Sequence, residues 1–140
     1  MANVRQSILL RTDLNLPKGL SEAQVAHLHF EYIRKIILQN VTRIEGETYH
    51  TAKIAITDLM IEWLKAPYTF VHGVPNAEVL EHFRKIATEK DVYMNDWKDT
   101  VFLKISITQQ IVVENCLIGI VLFGESDKVK AVIGDLPLLS

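Results

Sequence analysis

Arg11-Thr12-Asp13-Leu14-Asn15-Leu16-Pro17-Lys18-Gly19-Leu20-Ser21-Glu22-Ala23-Gln24-Val25-Ala26-His27 turns a strand into a helix. Upstream, Gln6-Ser7-Ile8-Leu9-Leu10 is short, apolar and suited to a buried strand. Asp13, Asn15, Pro17 and Gly19 then mark a loop, because each favours turn conformations over a regular element. Ser21-Glu22-Ala23-Gln24 fits a capping box, in which hydroxyl and amide each satisfy a free backbone N–H. A helix is expected from there to about Gln39, with Ala23, Ala26, Phe30, Ile33 and Ile37 as its core face.

Downstream, a turn around Thr42 to Gly46 leads to a second helix expected over residues 48–65, striped by Ala52, Ile56, Leu59, Met60 and Trp63 and ended by Pro67. Tyr68 to Val71 reads as a strand. Pro75 and Asn76 open a third helix carrying Val79, Leu80, Phe83, Ile86 and Ala87 on one face. Asp91 to Met94 leads into a strand ending near Asp96. Residues 101–108 alternate and are β-branched, which favours a further strand. Leu117 to Phe123 is a continuous apolar run, as in a central strand. Ser126 caps a last helix that stops at Gly134.

Strands alternating with helices predict an α/β fold: three layers, a mixed, mostly parallel sheet of four to five strands, and helices on both faces. The length of 140 residues fits one domain, 1–140, with one hydrophobic core. Hydrophobic residues make up 49% and charged residues 23%, which excludes a disordered chain. The formal net charge of -2 argues mildly against a polyanionic partner, whose binding draws on Lys and Arg. A single cysteine, Cys116, excludes an intrachain disulfide. No secretory pattern opens the chain and no apolar run reaches the roughly 18 residues of a membrane span, so a cytoplasmic setting without membrane is expected.

Arg11, Asp13, Leu14, Lys18, Gly19, Ala23, Gln24 and His27 match, without a gap, the N-terminal signature of the type II peptidyl-tRNA hydrolases, which this chain resembles. Asp96-Trp97-Lys98-Asp99-Thr100 keeps the family's spacing of an Asp four residues before a Thr. Leu117-Ile118-Gly119-Ile120 and Gly134-Asp135-Leu136-Pro137-Leu138 fit its last strand and helix end. The departures are specific. The family's second lysine, assigned to catalysis, falls on Leu20, and its usual Gly and Arg fall on Lys98 and Asp99. The segment after Thr100 is longer than in the hydrolases, which suggests an uncharacterised branch of the superfamily.

The resemblance implies cleavage of an ester by water, which needs a group to orient the water and positive charge or N–H donors for the oxyanion. Asp96 would then orient water, Thr100 would position a hydrogen bond, and Lys18 would stand in for the missing lysine; His27, Gln24 and Lys98 would contact substrate. A tRNA 3′ end or a small ester is the implied partner. Each residue also has a plainer reading. Lys18 suits an anion before a helix N-terminus, and equally a solvated loop. His27 serves as a base or substrate contact, or as a structural hydrogen-bond partner. Trp97 beside Lys98 stacks on a base or packs on its own loop. Asp96 and Asp99 make a carboxylate pair or a turn rich in Asp.

No metal or cofactor is expected. His27 and His29 at i and i+2 face different sides of a helix, and His50, His72 and His82 lack ligands at metal spacing. Glu78 and His82 read as a surface pair. No glycine-rich phosphate loop or nucleophile elbow is present. Two functions remain open: an ester hydrolase, or a binding or regulatory protein on the same fold with a decayed site. The mean hydropathy of +0.14 and the alternating segment from Val101 to Val113 also predict a two-fold homodimer, a state usual in the related hydrolases.

Overall fold

A computed structural model describes residues 4–139. Four strands form one sheet in the order β4-β1-β6-β5, where β1 is Val4–Arg11, β4 Thr69–Val74, β5 Tyr93–Lys104 and β6 Gln110–Glu125. β1 pairs in parallel with β4 and antiparallel with β6, and β6 pairs antiparallel with β5. Three strands therefore run one way and β6 alone runs the other, in the mixed α/β architecture expected.

Helices cover both faces. Pleating sends successive residues of β1 to opposite sides. Ile8 and Leu10 pack with Leu28 of α1 (Lys18–Gln39), Ile118 and Val121. Leu9 packs with Leu80 and Ala87 of α3 (Ala77–Glu89) and Val129 and Val132 of α4 (Ser126–Ile133). A third cluster joins Val4 and Phe123 to Met60 and Trp63 of α2 (Asp58–Lys65). α1 crosses the sheet closely at Gly119. A Cβ there would stand 2.6 Å from the Leu9 carbonyl oxygen and 2.8 Å from Leu28 Cδ1, so only glycine admits the helix at this height.

Several elements differ from their sequence expectation. The Ser21 capping box does not form: α1 begins three residues earlier, and the Ser21 N–H already bonds the Pro17 carbonyl at 3.0 Å. The inward stripe of α1 is not Ala23, Ala26, Phe30 and Ile37, although Ile33 does pack on the α2 cluster. Gln24, Leu28 and Glu31 are buried instead, while Phe30 is 51% exposed. Both stripes have helical spacing. Gln24 is accommodated because β5 supplies its partners, Trp97 and Asp99, with Lys35 Nζ donating to Asn95 of the same strand, whereas Glu31 is held by Arg34 of its own helix at 3.1 Å.

The second helix is only eight residues long. Residues 48–57 instead contribute to a two-stranded hairpin, β2 (Val41–Thr42) with β3 (Thr51–Ala52), and to the approach to α2. Thr57 ends that approach, its side chain accepting the Met60 N–H as N-cap. Ser126 is the first residue of α4 rather than its cap, and Gly134 follows the helix at φ 57°. The strand expected to end near Asp96 and the one over residues 101–108 are a single strand, β5. It runs through Asp99 to Lys104 before a turn in which Ile105 N–H bonds Gln109 O at 3.1 Å.

Candidate functional site

Two bulges shape the middle of the β5–β6 ladder. The register shifts between Trp97 and Lys98, where β6 carries Ile118 as an extra residue, and again between Asp99 and Val101. At the second shift Asn115 takes φ 54°, the left-handed conformation that a bulge of this kind requires. Bulges re-aim side chains, and here both fall between Trp97 and Val101.

On the α1 side of that segment four side chains interlock. The Trp97 indole N–H donates to Gln24 Oε1 at 2.5 Å, and Gln24 Nε2 donates to Asp99 Oδ2 at 3.1 Å. Asp99 Oδ1 accepts the Thr100 backbone N–H at 2.8 Å. His27 stacks on Trp97 with centroids 4.4 Å apart and planes 16° from parallel. Gln24 is buried, so both ends of its amide need partners, and β5 supplies both. Lys98 and Thr100 are exposed beside this cluster.

The signature loop is held by a clamp. Arg11 donates from Nε to Asp13 Oδ1 at 3.0 Å and from Nη2 to Asp13 Oδ2 at 2.8 Å, while Nη1 reaches the Leu117 carbonyl at 3.0 Å. This bidentate pair ties the loop after β1 to the bulged part of β6. It also lowers the pKa of Asp13, chiefly through the Arg11 hydrogen bond. Leu14, buried, pins the same loop into the α1-side core.

The six candidate residues fall into three places. Gln24 and His27 join the Trp97–Asp99 cluster on the α1 face, and Lys98 and Thr100 stand exposed next to it. Asp96 turns to the opposite face, where its Oδ2 lies 3.1 Å from Arg84 Nη2 on α3. Arg84 also holds Glu81 at 2.6 Å. Lys18 stands on the first turn of α1 with its side chain 92% exposed, 3.9 Å from Glu22. It borders a cleft shared with Arg11, Thr12, Leu16 and Leu139, beyond the carboxyl ends of the parallel pair β1 and β4. Open α/β sheets bind ligands at such ends. Leu20, in the place of the family's lysine, is 52% exposed.

Arg84 was not legible as a site residue. Glu81, one helical turn before it, marks only a helix surface, and its other partner, Asp96, lies on the next strand. The Gln24–Asp99 bond had no signal in spacing either. Among the described residues no three His, Cys, Asp or Glu side chains converge as metal ligands do.

A family model for peptidyl-tRNA hydrolase PTH2 matches residues 4–139, nearly the whole chain. The chain belongs to the PTH2 family. A solved structure of a protein of unknown function from Agrobacterium tumefaciens shares this PTH2-like fold over 100% of both chains, with a TM-score of 0.54 and 10% identity. No curated protein matches. The PTH2 signature spans the Arg11–Asp13 clamp and the entry into α1.

Proposed function

We propose that this chain is a non-catalytic binding or regulatory protein on the PTH2 fold, whose ester-hydrolase centre is decayed. The observation that carries the reading is the position of Asp96. The residue expected to orient water is ion-paired with Arg84 on the α3 side of β5, and Lys18 is solvated on the α1 side. Leu20 offers no charge for an oxyanion, and loss of one such contact costs roughly 10²–10³ in rate. The ligand class is the one the family handles, an RNA 3′ end or a small ester, met by the stacked His27–Trp97 pair and by Lys98. The test pairs a peptidyl-tRNA hydrolysis assay with a binding titration of an RNA 3′ end: binding without turnover supports the reading, and turnover contradicts it.

The hydrolase reading stands second, favoured by family membership over residues 4–139 and by the Asp96–Thr100 spacing. In that reading Asp96, Thr100 and Lys18 form the centre after Arg84 releases the carboxylate.

A homodimer belongs to the same proposal. The C-terminal segment covers the β4 edge, with Leu139 N–H on Val71 O at 2.9 Å. β5 is the other edge of the sheet. Its hairpin with β6 exposes Phe102 and Val112, which face each other in register, and Ile107 at 95%. A second copy is the occupant that hides both an open edge and apolar side chains. Helix crossings of a membrane do not compete for them: no helix among the described residues is long and apolar enough.

A further inference from the structure

At the other end of the sheet from Trp97, a cavity of about 770 Å³ opens between the start of β1, the end of β6 and the first turn of α4. Arg5 forms part of its wall and is only 7% exposed. Every partner of this guanidinium is neutral. Nε donates to Ser7 Oγ at 3.0 Å, Nη2 lies 3.3 Å from His72 Nε2, and the charged carbon sits 4.1 Å from the centroid of the Phe70 ring.

The histidine is neutral by necessity. His72 Nδ1 lies 3.0 Å from the Leu136 carbonyl, which only accepts, so Nδ1 carries the hydrogen and Nε2 accepts from Arg5. No carboxylate of the described residues reaches Arg5 in an ion pair. A buried charge without a counter-charge is costly. The fold keeps this one, and leaves it bordering open volume.

We propose that this cavity binds a small zwitterion, an α-amino acid or a similar amine-bearing carboxylate. The carboxylate supplies the counter-charge that Arg5 lacks, in the two-pronged geometry a guanidinium favours. The rim sets the rest of the ligand. Glu125 and Asp127, both exposed, flank Ser126 at the cavity. With Glu62 they outnumber the one lysine on the lining, Lys130, so the rim disfavours a phosphate dianion and attracts an ammonium group. Val4, Leu59 and Phe70 provide an apolar wall for a side chain.

The experiment is calorimetric titration of the full chain with L-leucine, with 4-methylpentanoate (leucine without its amine), with isoamylamine (leucine without its carboxyl) and with inorganic phosphate. L-Leucine binds, 4-methylpentanoate binds roughly tenfold more weakly, and the amine and phosphate do not bind up to about 10 mM. Arg5→Gln weakens leucine at least tenfold with circular dichroism unchanged. Because Arg5 is buried, a second variant guards against misfolding: Glu125→Gln with Asp127→Asn, both exposed, removes leucine's advantage over 4-methylpentanoate, whose own binding does not weaken. The proposal is overturned if leucine fails to bind, if phosphate binds in its place, or if the rim variant binds leucine as the parent does.

Discussion

Arg84 Nη2 lies 3.1 Å from Asp96 Oδ2, across the gap between α3 and β5. That pair takes the carboxylate of the family's Asp–Thr spacing away from the face where Gln24, His27, Trp97 and Asp99 meet. Pleating sets the direction, because neighbouring residues of one strand point to opposite sides; β5 is an edge strand, and Arg84 is what keeps the Asp96 carboxylate from swinging past that edge.

The pair gives a prediction for double substitution. Leu20→Lys alone restores the family's charge but leaves Asp96 engaged, so peptidyl-tRNA hydrolysis stays near background. Adding Arg84→Met frees the carboxylate, and the double variant gains roughly tenfold or more over Leu20→Lys. Equal rates for the two variants in a single-turnover assay contradict the restraint assigned to Arg84.

Gln24 holds the α1 face together. Gln24→Ala leaves a half-buried indole N–H and a half-buried carboxylate oxygen short of partners, at a cost of roughly 1 kcal/mol. Urea unfolding measures it, and Trp97 emission shifts to longer wavelength as the indole meets water; a Trp63→Phe background isolates that signal. An unchanged midpoint shows that the amide bridge adds nothing.

Much of this architecture was readable in the sequence. The Arg11–His27 signature located the loop and helix, and Asn76 correctly opened α3, its side chain accepting the Val79 N–H at 2.9 Å. The misread stripe of α1 has a definite physical cause. Hydrophobic spacing assumes that apolar residues face inward, yet α1 buries Gln24 and Glu31 and exposes Phe30. Polar residues on a buried stripe become legible only with their cross-strand partners. Here those partners are distant in the chain: Trp97 is 73 positions from Gln24, Asp99 is 75 from Gln24, and Asn95 is 60 from Lys35. Likewise Asp96 to Thr100 looks like a strand-end turn because Asp and Lys are poor strand formers. Pairing with β6 and two bulges hold it extended.

Stability should depend on pH through His72. Burial, with Arg5 adding to it, lowers its pKa from the ordinary 6.5, while the bond to Leu136 pulls the other way. The unfolded chain therefore takes up a proton on this residue before the folded chain does. Its contribution is full above pH 6.5 and is lost as pH falls from there through the folded-state value. Urea midpoints from pH 7.5 downward should decline, and His72→Gln should flatten the first part of that decline. A slope unchanged by the substitution assigns it to another group.

The proposed dimer would pair through the β5 edge. Sedimentation equilibrium at micromolar concentration should give twice the 16.0 kDa chain mass, and Phe102→Glu with Val112→Glu should return it to one. A parent mass of one chain, unchanged on tenfold concentration, rules the dimer out.

The most direct measurement is hydrolysis of peptidyl-tRNA by the unmodified chain at enzyme concentrations in excess of substrate, followed to completion. With Leu20 in the lysine's place and Asp96 held by Arg84, tRNA should be released no faster than in buffer alone. Turnover at about 1 s⁻¹ or more, within the ordinary range of enzymes, abolished by Asp96→Asn, would contradict the assignment of a decayed centre.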